Sequence, residues 1–112
     1  MISKDLVAAS AKPLILSILL GGESYGYDII QRIRKLSDDE LEWKDGMLYP
    51  VLHRMEAQGL IRSQWRVIES GRRRNYYKIT LAGKKSLVSE KEQWMRVHAT
   101  LIKVWEAKPC LI

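Results

Sequence analysis

One short stretch of this sequence combines aromatic, imidazole and guanidinium side chains at helical spacing. Residues 46–58 are predicted to form a helix with a buried apolar face made by Leu48, Val51, Leu52 and Met55. The opposite face then presents hydrogen-bonding rings and a cation, supplied by Tyr49, Pro50, His53 and Arg54. A helix that is apolar behind and aromatic-basic in front has the properties needed to enter the major groove of DNA.

A second cluster of charge lies in the turn formed by Gly71, Arg72, Arg73 and Arg74. On either side of this turn, near residues 61–67 and 77–79, apolar and polar side chains alternate as they do in a β-strand. Adjacent arginines repel one another unless an anion is bound, although a solvated basic surface is the alternative interpretation. Helix, strand, basic turn and strand follow in the order of a winged helix, whose wing would contact the DNA backbone or the adjacent minor groove. Lys44, at the entrance of the helix, is expected to reach a phosphate.

The elements that must position this helix are predicted from apolar periodicity and capping residues. Residues 3–20 read as an N-terminal helix, in which Pro13 is expected to cause a kink or a restart capped by Ser10. Ser24 is predicted to cap a second helix over residues 25–36.

Several residues are expected to support the helix of residues 46–58, here called the recognition helix, from within the fold. Gly26 is predicted to permit a close approach of another element to its backbone. Residues 37–44 form an acidic connector that could include a short strand at 41–43, with Trp43 in the core beneath the helix. Strand alternation predicts that Trp65 is also a core residue.

A long last helix, residues 81–107 with Thr80 as its cap, carries apolar side chains at seven-residue intervals. These positions are Leu81, Val88, Met95 and Ile102, with the parallel set Leu87, Trp94 and Leu101, extended by His98 and Trp105. A seven-residue repeat favours packing against a partner helix and therefore a homodimer. The alternative is packing on the N-terminal helix of the same chain, and both contacts are compatible.

The motifs above, taken in order, resemble those of the PadR transcriptional regulators. The matching segments are Leu19-Leu20 with Gly26-Tyr27 and Ile29, then Leu48-Tyr49-Pro50 with Leu52-x-Arg54-Met55-Glu56-x-x-Gly59-Leu60-Ile61, and Gly71-Arg72-x-Arg74-x-Tyr76-Tyr77-x-Ile79-Thr80-x-x-Gly83. The resemblance spans residues 13–106, and Met47 departs from it where the family usually carries a small hydroxyl residue. It implies a winged helix-turn-helix that represses transcription.

The resemblance also suggests a role for Trp94. The local pattern Glu92-x-Trp94-x-Arg96-Val97 resembles the small branch of the family, which has a single C-terminal helix. In that branch, a tryptophan here can line a central pore of the dimer that binds flat aromatic ligands. Ordinary packing between the two helices is the competing interpretation of Trp94.

Length, charge and composition indicate which kind of partner and which cellular compartment to expect. The chain has 112 residues and is expected to form one domain, with DNA binding in residues 1–80 and dimerisation in residues 81–112. Its net charge of +6 favours a polyanionic partner such as double-stranded DNA. Neither an 18-residue apolar span nor a signal peptide is apparent, and the single Cys110 suits a reducing environment, so a cytoplasmic protein is expected.

The sequence offers no arrangement typical of an enzyme. His53, His98 and Cys110 fall on three separate elements, so neither a metal site nor a cofactor is expected. The paired carboxylates of residues 38–40 are adjacent in a connector and do not share a cleft. The sequence therefore favours a mainly α winged helix-turn-helix protein with a small β-wing that binds a palindromic operator as a homodimer. The competing class, a winged-helix module for protein interaction, would carry a neutral wing.

Overall fold

Four helices and a three-stranded antiparallel sheet make up the fold. In this computed structural model, which describes residues 1–107, the elements are α1 (Lys4–Leu20), β1 (Ser24–Tyr25), α2 (Gly26–Leu36), α3 (Asp45–Ala57), β2 (Ile61–Val67), β3 (Arg73–Ile79) and α4 (Leu81–Glu106). The sheet order is β1-β3-β2, so β3 lies in the centre. The predicted fold class, a mainly α winged helix-turn-helix with a long last helix, is confirmed; the prediction for Cys110 lies outside the described residues.

Helix α1 is continuous through Pro13, so of the two alternatives predicted there, a kink or a restart capped by Ser10, the restart is wrong. Its N-cap is Ser3, whose side chain accepts a hydrogen bond from the Leu6 N–H. The Ser10 hydroxyl does not cap a new helix and donates to the Val7 carbonyl within the same one. Because the buried side chains of α1 form one face on both sides of Pro13, tertiary packing outweighs the loss of a single backbone hydrogen bond.

The start of α2 also differs from its prediction. Ser24 is one residue too early to be the cap; it lies in β1 opposite Tyr77, and Tyr25 is the N-cap residue. The Ser24 hydroxyl instead donates to the carboxylate of Asp28 in the first turn. No strand forms at residues 41–43, although Trp43 is buried as expected. A two-residue strand such as β1 has too little periodicity to be recognised from the sequence.

The β2–β3 hairpin, together with its turn at residues 68–72, forms the wing. Ile61 pairs with Ile79 at its base, and Trp65 pairs with Asn75 further out. The prediction that Trp65 belongs to the core is wrong, because its side chain is 56% exposed. Alternation places Trp65 on the same face as the buried Ile61, but the helices that cover this face do not extend along the whole hairpin.

Only the beginning of α4 is buried in the core of its own chain. Thr80 caps the helix as predicted, accepting a hydrogen bond of 3.0 Å from the Gly83 N–H. Leu87 is 8% exposed and belongs to the core beside α1. In the described part of the chain, no residue after Leu87 is buried. Residues 88–106 are here called distal α4. They meet α1 through the ion pair between Lys12 and Glu90 and beside Trp94, but none of their side chains is buried.

Candidate nucleic-acid interface

A groove lies between the exposed face of α3 and the outer half of the wing. It has a volume of about 690 Å³ and is lined by Tyr25, Gly26, Tyr27, Tyr49, His53, Trp65, Ile68, Arg72, Arg73, Arg74, Asn75 and Tyr77. This α3–wing groove brings together the aromatic face predicted for α3 and the arginines predicted for the wing. Its lining combines cations with aromatic rings, which suits a ligand that is both anionic and rich in apolar surface.

Gly26 determines where Tyr49 lies in the groove. A Cβ atom added to Gly26 would lie 2.9 Å from Cζ of Tyr49, which is too close for an ordinary contact. Glycine at this position thus allows the ring of α3 to rest on the start of α2, and the predicted close approach is confirmed. The consequence is a fixed orientation of the Tyr49 ring at the edge of the exposed helix face.

Tyr77 links the floor of the groove to the wing. Burial raises the pKa of Tyr77, and the neighbouring Tyr49 contributes in the same direction. The Asn75 amide donates a hydrogen bond of 3.2 Å to the Tyr77 hydroxyl, which partly opposes this shift. Tyr77 is therefore a neutral phenol at physiological pH. It does not offset the positive charge of the wing arginines.

A carboxylate joins α3 to the wing strand. Glu56 accepts a hydrogen bond of 2.9 Å from the Ser63 N–H and further bonds from the Ser63 hydroxyl. Bonds to an ionised carboxylate are stronger than bonds between neutral groups, so this contact resists a change in the angle between α3 and the wing. Sequence reasoning missed this role; the signal was an acidic residue within an otherwise basic motif.

The three adjacent arginines of the wing do not point in one direction. Arg72 and Arg73 are exposed, and the Arg73 guanidinium lies 5.0 Å from the ring centre of Trp65. Arg74 is half-buried and stacks 3.9 Å from the ring centre of Tyr25. It also donates to the Tyr76 hydroxyl at 3.3 Å. Because side chains alternate along β3, Arg73 and Arg74 lie on opposite faces of the strand, and Arg74 is the one held by aromatic rings. Arg72, which lies in the turn, and Arg73 are exposed.

An ion pair ties the wing to the chain that precedes β1. The Arg66 guanidinium donates to the Glu23 carboxylate and lies 4.3 Å from the Tyr76 ring centre. This hydrogen bond lowers the pKa of Glu23, helped by the charges of Arg66 and Lys78 and opposed by partial desolvation. Arg66 is therefore engaged within the protein, although the sequence counts it among the basic residues of the wing region.

The other predicted contact residues of α3 lie outside the groove. Pro50 and Arg54 are exposed on α3 without lining the groove, and Lys44 occupies the exposed N-cap position. Their exposure is compatible with contacts to a surface larger than the groove. Among residues 1–107, no three metal-ligating side chains lie together, and no helix is long and apolar enough to cross a membrane.

Distal α4 exposes a row of large apolar side chains. They are Val88, Trp94, Met95, Val97, Leu101, Val104 and Trp105. Ile102 is half-buried and His98 is exposed. Trp94 is 36% exposed and lines a cavity of about 430 Å³ between α1 and α4, together with apolar residues such as Leu14 and Met95. The predicted dimerisation residues after Leu87 thus lie on an uncovered surface in the single chain.

Comparison with known proteins agrees with this architecture. Residues 15–89 match the model of the PadR-like family of transcriptional regulators. An uncharacterized protein of Lysinibacillus sphaericus is 30% identical over 97 residues, which cover 87% of this chain and 89% of that protein.

Solved structures give the same result for the fold. A transcriptional regulator from Clostridium thermocellum is 34% identical, with a TM-score of 0.84 over 96% of this chain and 100% of its own. A PadR-like regulator from Bacillus cereus is 27% identical, with a TM-score of 0.81 over 94% and 100% of the two chains. The chain therefore belongs to the PadR-like family of transcriptional regulators, which bind DNA and are not enzymes.

Proposed function

We propose that this protein is a homodimeric repressor that binds a palindromic operator and is released from it by a flat aromatic ligand. The observation that carries DNA binding is the α3–wing groove, where the exposed rings of α3 face the open arginines of the wing. A neutral wing would be expected of a protein-interaction module, and this wing is strongly basic. The partner is double-stranded DNA, and the compartment is the cytoplasm.

The proposed contacts divide into base reading and backbone binding. Within the major groove, Tyr49, Pro50 and His53 face the base edges. The cationic groups Lys44, Arg54, Arg72, Arg73 and Arg74 neutralise phosphates or enter the adjacent minor groove. Arg74 contributes chiefly by stiffening the wing, because its guanidinium is already stacked and hydrogen bonded.

The proposed dimer uses distal α4 of both chains. The contact residues are Leu87, Val88, Trp94, Met95, His98, Leu101, Ile102 and Trp105, of which Leu87 contributes mainly to its own core. Pairing these helices removes the exposed apolar row from water. The two recognition helices would then lie about 34 Å apart, one turn of DNA, which matches a palindromic site. DNA binding thus belongs to residues 1–80 and dimerisation to the helix that follows.

The proposed effector site is at Trp94. The cavity beside Trp94 is lined mostly by apolar side chains of α1 and α4, so a flat ring can stack on the indole there. Such a ligand releases DNA only if it binds more tightly to the dimer with the wrong spacing of recognition helices. A planar cationic dye is the natural probe, since an indole face attracts cations.

Two measurements test this function. Fluorescence anisotropy should show that the protein binds a duplex from the region upstream of its own gene more tightly than it binds a scrambled duplex of equal composition. Equal affinity for both duplexes would contradict operator recognition. For the effector, Trp94→Ala should weaken binding of the planar dye, whereas Trp65→Ala, which removes an exposed tryptophan of the wing, should not. Equal weakening in both variants would place the dye elsewhere.

A further inference from the structure

Trp65 is a large apolar side chain that the fold leaves uncovered on the wing. It is 56% exposed, although its position in β2 faces the same side as the buried Ile61. A tryptophan at this position keeps much of its apolar surface in water, which folding alone does not favour. Its ring lines the α3–wing groove, on the wall opposite Tyr49 and His53.

The ring of Trp65 also holds a cation. Arg73 lies diagonally across the hairpin, because Trp65 pairs with Asn75 and Arg73 pairs with Val67. The guanidinium of Arg73 rests 5.0 Å from the ring centre of Trp65, within the range of a cation–π contact. A planar guanidinium that is stacked in this way keeps its outer N–H groups free and oriented for a phosphate. Trp65 and Arg73 therefore form one unit on the wall of the groove.

The groove selects the chemistry of its occupant. The guanidinium groups of Arg72 and Arg73 favour an anion as ligand. The exposed rings of Trp65 and Tyr49 favour an apolar surface next to that anion. A DNA strand supplies both in alternation, since phosphates alternate with deoxyribose rings along its backbone. No carboxylate is among the residues that line the groove, so its lining contains no anionic side chain that would repel a phosphate.

We propose that Trp65 is a DNA-binding residue that packs against a deoxyribose of the strand lying in the α3–wing groove. In the same contact it holds the Arg73 guanidinium against an adjacent phosphate. This inference rests on the proposed DNA binding and adds a residue that neither the recognition helix nor the basic turn would indicate. Because sugar and phosphate are the same for every base, this contact strengthens binding to any duplex and carries little sequence preference.

The test compares Trp65→Ala with Val67→Ala. Val67 is also exposed on the same face of β2 but does not line the groove, so it controls for loss of surface apolar area. Trp65→Ala should weaken binding to the operator and to random duplex alike, roughly tenfold, as for loss of one aromatic stacking contact. Val67→Ala should bind as the wild type does. Trp65→Phe should recover part of the loss, since a ring remains.

A double-mutant cycle tests the second half of the proposal. If Trp65 positions Arg73, the losses for Trp65→Ala and Arg73→Ala should combine to less than their product. DNA should also protect a tryptophan from acrylamide quenching in the wild type, and this protection should shrink in Trp65→Phe.

The outcomes separate this inference from the proposed function. Wild-type affinity in Trp65→Ala, with normal binding by the wild-type protein, would overturn the role of Trp65 and leave DNA binding intact. Multiplicative losses in the cycle would overturn the coupling to Arg73. A wild-type protein that binds no duplex at all would overturn the proposed function, and this inference with it.

Discussion

The body of the protein, residues 1–87, buries many of its apolar side chains, whereas distal α4 exposes most of its own. Every buried apolar side chain in the described residues lies between Ala11 and Leu87, in a core shared by the helices and the sheet. Distal α4, in contrast, carries a row of exposed side chains that includes two tryptophans, Trp94 and Trp105. The body therefore forms the α3–wing groove within one chain, whereas distal α4 leaves its large apolar side chains exposed in the single chain.

This difference assigns separate physical tasks to the two regions. The Glu56–Ser63 contact joins α3 to the wing, and the close packing of Gly26 on Tyr49 holds α3 against α2. A second copy would fix the distance between two such bodies through distal α4. Changes in distal α4 should then alter assembly and operator binding together, while changes in the body should alter each DNA contact singly.

The largest effect is expected from Leu101→Glu in the middle of distal α4. In the proposed dimer, this substitution would bury like charges beside one another and should produce monomers. A monomer engages a single half-site, so operator affinity should fall by at least about a hundredfold. Sedimentation and anisotropy measure the two effects, with Thr100→Glu as a control that adds the same charge outside the seven-residue repeat. A wild-type protein that sediments as a monomer at micromolar concentration would contradict the dimer.

A smaller effect is expected from Gly26→Ala in the body. The added methyl group would overlap the Tyr49 ring, and such overpacking should destabilise the protein by about 1–3 kcal/mol. Gly46→Ala is the matched comparison, because no atom lies within 4 Å of the added Cβ and alanine favours helix. Urea unfolding should give opposite signs for the two variants. Equal stability of both variants would mean that the Tyr49 ring moves aside without penalty.

The next effect in size concerns the wing cations. Arg72→Ala with Arg73→Ala should lower the slope of log K against log salt by roughly 2, at about 0.9 for each phosphate contact. Arg74→Ala should change this slope less, because its guanidinium is stacked on Tyr25 and donates to Tyr76. Equal changes of slope per residue would show that Arg74 turns outward to DNA.

These examples show which features a sequence can reveal. Periodicity predicted the buried face of α3, where Leu48, Leu52 and Met55 are buried, because helical spacing is a local property. Alternation along β3 places Arg73 and Arg74 on opposite faces, but the ring that holds Arg74 comes from Tyr25, and this contact depends on the pairing of β1 with β3. The exposure of Trp65 depends on how much of the sheet the helices cover. Local sequence periodicity does not predict this extent.

The smallest effect is expected from Glu23→Gln, which removes the ion pair between the start of β1 and the wing. The hydrogen bond from Arg66 lowers the pKa of the Glu23 carboxyl below its ordinary value of 4.5. Since the folded pKa is the lower one, the stabilisation is fully present above about pH 4.5 and is lost as the pH falls through the folded pKa. Thermal unfolding should show a slightly lower Tm for Glu23→Gln at pH 7, with the difference vanishing in acid. Glu69→Gln serves as control, because within residues 1–107 Glu69 forms no ion pair. A difference in Tm that persists at low pH would mean that Glu23 stabilises the protein through contacts other than its ion pair with Arg66.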